Sequence, residues 1–212
     1  MGVAERRERE KQQRREQAIE AAMAIYDEEG YYAITMEKIA ERSELSRAAL
    51  YLYFKNKDEI FISAIKEYMA YFYSLLQDVY ERRKSIQKAL LEELWECFIK
   101  FYQKDPVAFN VSMYFHQNEA IRNLSDDLRD LLYKAGSDAV TYQHKIMEYG
   151  VKQGIFIDCN PRTLAEVIWS TFLGVMQVER SKREITGKNH IKATRDLALK
   201  VFTRGIVGNS KD

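Results

Sequence analysis

TMEKIAERSELSRAALYLYFKNK, running from Thr35 to Lys57, is the stretch whose reading decides the fold. Two short apolar-periodic segments lie within it, separated by a few residues. Each opens at a polar N-cap residue: Thr35 stands before Met36, Ile39 and Ala40, and Ser46 before Ala49 and Leu50. The pattern reads as helix, tight turn, helix. The second segment is too short to be stable alone, so its neighbours must pin it. A short, propped helix suits the major groove of a duplex, roughly 12 Å wide, where its N-terminal residues reach base edges and its flanks touch phosphate.

The residues of the second segment fit that use. Arg47 falls in the first turn, where a guanidinium fork can span two acceptors of a guanine, a contact worth about 1–3 kcal/mol of base discrimination. With Leu50 and Phe54 inward at i, i+4 spacing, Tyr51, Tyr53 and Lys57 are left to hold phosphate oxygens through hydroxyl donors and an ammonium. The plainer reading of the same residues is also open, because tyrosines at a helix end often pack half-buried and a single arginine is often a solvated charge.

The order Ser46-Arg47-Ala48-Ala49-Leu50-Tyr51-Leu52-Tyr53-Phe54-Lys55-Asn56-Lys57 resembles the recognition helix and following turn of TetR-family transcriptional regulators. The resemblance runs back through Thr35, Ile39-Ala40-Glu41-Arg42, Glu28-Glu29-Gly30-Tyr31 and Ala18-Ile19-Glu20-Ala21-Ala22, so that roughly residues 14 to 65 match. It implies a DNA contact set of Thr35, Ser46, Arg47, Ala48, Ala49, Tyr51, Tyr53 and Lys57. Three positions depart from the family pattern: Glu44 replaces the usual turn glycine, and Ala48 and Ala49 replace Gly and Thr. A left-handed Glu44 costs roughly 1 kcal/mol, since a Cβ disfavours positive φ. Without the threonine hydroxyl at position 49, the family's specificity rules do not carry over to positions 48 and 49.

At 212 residues, with 46% apolar side chains, two prolines and no sustained period-two alternation, the chain is expected to be all-α with about nine helices. No uninterrupted apolar run is long enough to span a bilayer; even Leu164 to Val178 contains Glu166, Ser170, Thr171 and Gln177. The charged N-terminus lacks the apolar stretch of a signal peptide, so a cytoplasmic protein is expected. Cys97 and Cys159 lack metal-ligand or redox spacing, and no metal or cofactor is expected. The net charge of +1 does not itself point to nucleic acid. Locally, however, Arg42, Arg47, Lys55 and Lys57 face Glu44 alone across the recognition unit.

Residues 1–15 carry six basic and three acidic side chains and read as a flexible charged arm, with Arg6, Arg7, Arg14 and Arg15 as candidates for grazing phosphates or entering a minor groove. Local pairing with Glu5, Glu8 and Glu10 is the alternative. Residues 16–60 read as the helix-turn-helix head, its first helix running from about Gln17 to Gly30. Residues 61–212 read as a ligand-binding and dimerisation bundle. A long helix from Asn56 carries Phe61, Ile65, Tyr68, Phe72, Leu76 and Val79 on one stripe. Further helices are expected from Ser85 to Lys104, Val107 to His116, Ser125 to Lys152 with Gly150 and Gly154 at its end, Asn160 to about Arg180, and His190 to Val207.

The aromatic set Trp95, Phe98, Tyr102, Phe109, Met113 and His116, with Trp169, Phe172 and Met176 from a later helix, could line a pocket for a small hydrophobic molecule or simply form core. Resemblance to ligand-responsive regulators favours the pocket. The wide apolar faces carrying Leu164, Ile168 and Val175, then Leu197, Val201 and Phe202, suit a two-fold four-helix contact in a homodimer, which the resemblance also implies. A dimer would set two reading helices about 34–36 Å apart, matching a palindromic double-stranded operator. The expected function is a ligand-responsive DNA-binding regulator, a repressor released by a small hydrophobic or aromatic effector. A ligand-independent architectural DNA binder is the alternative. A helical enzyme is disfavoured, because His116, His144 and His190 form no catalytic pattern.

Overall fold

Helix-favouring composition with few breakers produces ten α-helices among the described residues, which are 2–117 and 120–208 of a computed structural model. They are α1 (Val3–Glu29), α2 (Met36–Arg42), α3 (Arg47–Tyr51), α4 (Lys57–Arg82), α5 (Leu90–Lys104), α6 (Pro106–Gln117), α7 (Ala120–Asn123), α8 (Asp126–Lys152), α9 (Pro161–Thr186) and α10 (Ile191–Ile206). Single 3-10 turns sit at Tyr31–Ala33 and Gln87–Ala89. The segment expected as a flexible arm is instead the first half of α1. It is held by Gly2 N–H donating to Glu5 at 2.9 Å and by Arg6 and Gln12 donating to Glu10 and Glu16 four residues on. The short α7 and the 3-10 turn after Ile86 had no legible signal, and α9 continues beyond Arg180 to Gly187, whose φ of 70° ends it.

The chain divides into two compact units. One comprises the residues up to Tyr71 together with Tyr102–Ser137, so the unit holding the head is larger than 16–60; the other comprises Phe72–Phe101 and the residues from Asp138 onward. The first unit is built on α1. Its Ala18, Ala21, Ala22 and Ile25 are buried with Ile39 of α2, Leu50 of α3 and Phe54. The same core takes in Ile60, Phe61 and Ile65 of α4, Val111 and Phe115 of α6, and Leu128 and Leu132 of α8.

In the second unit, α9 turns Leu164, Ala165, Ile168, Phe172 and Met176 inward. Trp95 and Phe98 of α5 meet Phe172 on that face at 5.5 and 5.4 Å, and Phe72, Leu76, Leu94 and Phe101 of the same unit are also buried. The rings of Phe72 and Phe101 stack at 4.1 Å, and Trp169 stacks on Phe72 at 5.2 Å. Glu179, buried on α9, accepts from the Thr194 hydroxyl of α10 and from Lys182, both at 2.9 Å. Burial pushes the Cys97 thiol well above its usual range, which suits an inert core residue.

Gly150 does not end α8; the helix runs through it to Lys152, and Gly154, at φ +69°, makes the turn. Position 150 is small because the Phe156 ring occupies the space that a Cβ would fill. Phe156 is 2% exposed and pairs with Val207 in an isolated antiparallel bridge. Gly150→Ala should therefore destabilise the protein by about 1–3 kcal/mol through overpacking, read as a lowered urea midpoint. An unchanged midpoint would show that Phe156 repacks freely.

Candidate nucleic-acid interface

Both reading helices start as their sequence demands. Lys38 N–H donates to the Thr35 hydroxyl at 3.2 Å, and Ala49 N–H to the Ser46 hydroxyl at 3.1 Å. Between the helices the backbone closes through Leu45 N–H to Ala40 C=O at 2.9 Å, and Glu44 takes the left-handed conformation at φ 55°, as the turn requires. After α3, Glu59 N–H donates to the Asn56 side chain at 2.9 Å, which caps α4, while the Glu59 carboxylate receives Lys55 N–H one residue before the cap.

This framework turns a defined set of groups outward. Thr35, Ser46, Arg47, Ala48 and Tyr51 are exposed, Ala49 and Tyr53 are partly so, and Leu50 and Phe54 are buried beneath them. Arg47 reaches back to α2, where its guanidinium meets Glu37 at 2.5 Å. The Glu37 carboxylate lies below its usual range, held there chiefly by its own backbone N–H, then by the Thr35 hydroxyl, with Arg47 adding a smaller pull. Glu37 carries no signal along the chain, because the pairing exists only once the turn brings α2 and α3 together.

Most of the basic groups counted across the recognition unit are already engaged. Arg42 makes a two-pronged bridge to Glu28 of α1 at 2.6 Å on each arm, and Lys38 meets Glu29 at 2.6 Å. Lys57 lies partly buried, donating to the carbonyls of Tyr31 at 3.2 Å and Ile34 at 3.1 Å with its ammonium 4.2 Å from the Tyr31 ring centroid. Tyr31 donates its hydroxyl to Asp58, and burial followed by this bond keeps the phenol well above its usual range. The expected phosphate ligand Lys57 thus serves as a clamp joining the 3-10 turn to α4. Arg15, expected in the flexible arm, is a second clamp: it donates to the Tyr53 carbonyl at 2.9 Å and lies 4.3 Å over the Phe54 ring.

The residues expected to line one pocket are divided between the two units. Tyr102, Phe109, Met113 and His116 belong to the first, where Tyr102 and Phe109 meet edge-on at 5.1 Å and His116 is exposed. Trp95, Phe98, Trp169, Phe172 and Met176 belong to the second, where the four rings are in mutual contact and all except Trp169 are buried. The expected dimer residues also separate. Leu164 and Ile168 are buried in the chain's own core because they share the inward face of α9 with Phe172. Leu197 and Val201 are exposed, Val175 and Phe202 partly so, and α9 adds the exposed Val167, Val178 and Ile185.

A pair of capped short helices with an outward arginine defines a helix-turn-helix DNA-binding protein. Residues 18–64 match the model of bacterial regulatory proteins of the tetR family. The chain is 22% identical over 167 residues to an uncharacterised HTH-type transcriptional regulator, YhgD of Bacillus subtilis, covering 77% of this chain and 82% of that one. Among solved structures it resembles SmeT in complex with triclosan, with a TM-score of 0.72, 22% identity and 93% of each chain covered. SmeT is the repressor of the Stenotrophomonas maltophilia multidrug efflux pump SmeDEF. FadR of Bacillus subtilis in complex with stearoyl-CoA gives a TM-score of 0.68 at 23% identity, covering 89% of this chain and 97% of that one. The family match covers the helix-turn-helix stretch, residues 18–64, and the likeness to the solved structures over the rest of the chain is one of fold.

Two variants separate reading from clamping. Arg47→Ala should relax base preference at one position of a selected site, whereas Glu37→Gln should tighten binding to any duplex a few-fold by removing an anion that competes with DNA for Arg47. Equal site preference for Arg47→Ala and the parent in a binding selection would remove Arg47 from base reading. Lys57→Met should cost about 1–2 kcal/mol of folding stability through two lost charge-assisted hydrogen bonds, seen as a lowered denaturation midpoint. A loss of DNA affinity at unchanged stability would return Lys57 to the phosphate contacts.

Proposed function

We propose that this chain is a ligand-released repressor that binds a palindromic operator as a homodimer. The outward face of α3, with Arg47, Ala48 and Tyr51 exposed over a buried Leu50, carries the reading. Dimerisation is supported by the uncovered apolar row Val167, Val178 and Ile185 on α9, interrupted by Gly174, and by Leu197 and Val201 on the neighbouring α10. Such a surface suits two copies packing as a four-helix contact.

An apolar effector is supported by the aromatic lining of the second unit. There the buried indole N–H of Trp95 finds no acceptor among the described residues, which leaves a donor for a polar atom of a bound molecule. SmeT and FadR, with their bound triclosan and stearoyl-CoA, lend weight to a hydrophobic or acyl effector. An effector that binds better when Phe72 is displaced biases α4, whose first turn holds Lys57 and Asp58, and so disfavours the DNA-competent head by a coupling of typically 1–3 kcal/mol.

The test begins with selection of bound duplexes from a random-sequence library by the full-length protein, followed by release measurements with stearoyl-CoA, triclosan and a metabolite panel. Enrichment of an inverted repeat and release by at least one apolar compound are expected. Trp95→Phe should blunt that release several-fold while leaving operator affinity in place. An enriched site that no compound releases would favour a ligand-independent DNA binder; enrichment of no site would overturn the repressor reading.

A further inference from the structure

The first half of α1 is a helix without an interior of its own. From Gly2 to Arg14 every residue is exposed, and an isolated polar helix gains nothing from packing. Its charges are nevertheless sorted by face. Glu5 caps the N-terminus, Glu10 takes Arg6 at 3.0 Å, Glu16 takes Gln12 at 3.0 Å, and Arg15 is committed to Tyr53 and Phe54. Arg7, Arg9, Lys11 and Arg14 are left without an ion pair among the described residues; Arg9 lies on the far side of the helix, which leaves Arg7, Lys11 and Arg14 together.

Their spacing of four and three residues continues without a break into Ala18, Ala21, Ala22 and Ile25, the face by which α1 covers the reading helices. One stripe of one helix is therefore apolar where it meets the head and cationic where it runs past it. Arg14 lines a groove of about 320 Å³ together with Gln13, Gln17, Ser43 and Leu45, beside the turn between α2 and α3. The acidic members of that groove are Glu10, already engaged with Arg6, and Glu44. At 1.5 Å per residue the cations from Arg7 to Arg14 cover about 10 Å, a length comparable to two or three successive phosphates of one strand.

We propose that Arg7, Lys11 and Arg14 form a rail that follows the DNA backbone beyond the base pairs entered by α3, so that the protein engages operator flanks as well as the operator. The inference rests on the repressor reading above and adds a second contact surface to it. A polyanion with regularly spaced charges is the partner such a row fits, and the rail is continuous with the recognition head through the Arg15 clamp at the end of α3. It contributes affinity and salt dependence and no base preference, because phosphates carry no sequence.

The experiment uses the full-length protein and a duplex that it selects itself, tested at about 40 base pairs and trimmed to about 20, the reach of two half-sites one helical turn apart. Binding is followed against salt for the parent, for Arg7→Gln/Lys11→Gln/Arg14→Gln, and for Arg6→Gln/Arg9→Gln, whose positions lie on other faces. On the long duplex the triple variant should bind at least about tenfold more weakly and lose about 5 from the slope of log K against log salt, at roughly 0.9 per neutralised phosphate for three cations on each of two subunits. On the trimmed duplex it should match the parent, and the double variant should keep the parent's slope on both. An unchanged slope on the long duplex would overturn the rail, as would an equal loss on the two duplexes, which would mean that the row acts through the head. If the parent selects no duplex at all, the repressor reading itself fails.

Discussion

Everything about the reading head depends on burying the small-residue face of α1 against two helices that could not exist alone. The five residues of α3 and seven of α2 are far below the length at which a helix persists in water. Fully buried Leu50 and Ile39 each contribute about 1.5–3 kcal/mol of burial, available only because Ala18, Ala21 and Ala22 let the chains approach closely. Caps at Thr35, Ser46 and Asn56 then satisfy amide groups that such short elements would otherwise leave unpaired. Even the strained Glu44 is carried by this packing, since its backbone must turn left-handed for Leu45 to reach Ala40.

The electrostatics follow from the same arrangement. A count of cations along the recognition unit suggests a basic patch, yet Arg42 and Lys38 serve to tie α2 to α1, and Lys57 holds the 3-10 turn to α4. Folding draws these charges into structural work and leaves Arg47 outward, in contact with Glu37. The row along the exposed half of α1 runs the other way. Arg7, Lys11 and Arg14 look like part of a mixed charge run in sequence; helical phase separates them from Arg6 and Arg9, and the bond to the Tyr53 carbonyl separates them from Arg15.

The second unit applies the same economy to aromatic rings. Phe72, Phe98, Phe101, Trp169 and Phe172 fill its interior by stacked and edge-on contacts, and Trp95 brings a buried polar atom among them. Rings packed in this way form the core of that unit.

The sequence by itself determined the helical class, the helix-turn-helix from Thr35 to Lys57 and its three caps, because these are local: each depends on residues within a few positions of one another. The TetR resemblance was legible for the same reason. The tertiary structure decided what depends on distant partners. It made the supposed arm helical, gave Lys57 and Arg15 to clamping, paired Arg47 with Glu37, turned Leu164 and Ile168 inward and divided the aromatic set between two units. Spacing along the chain fixes which face a side chain occupies, while the partner waiting on that face comes from elsewhere in the fold.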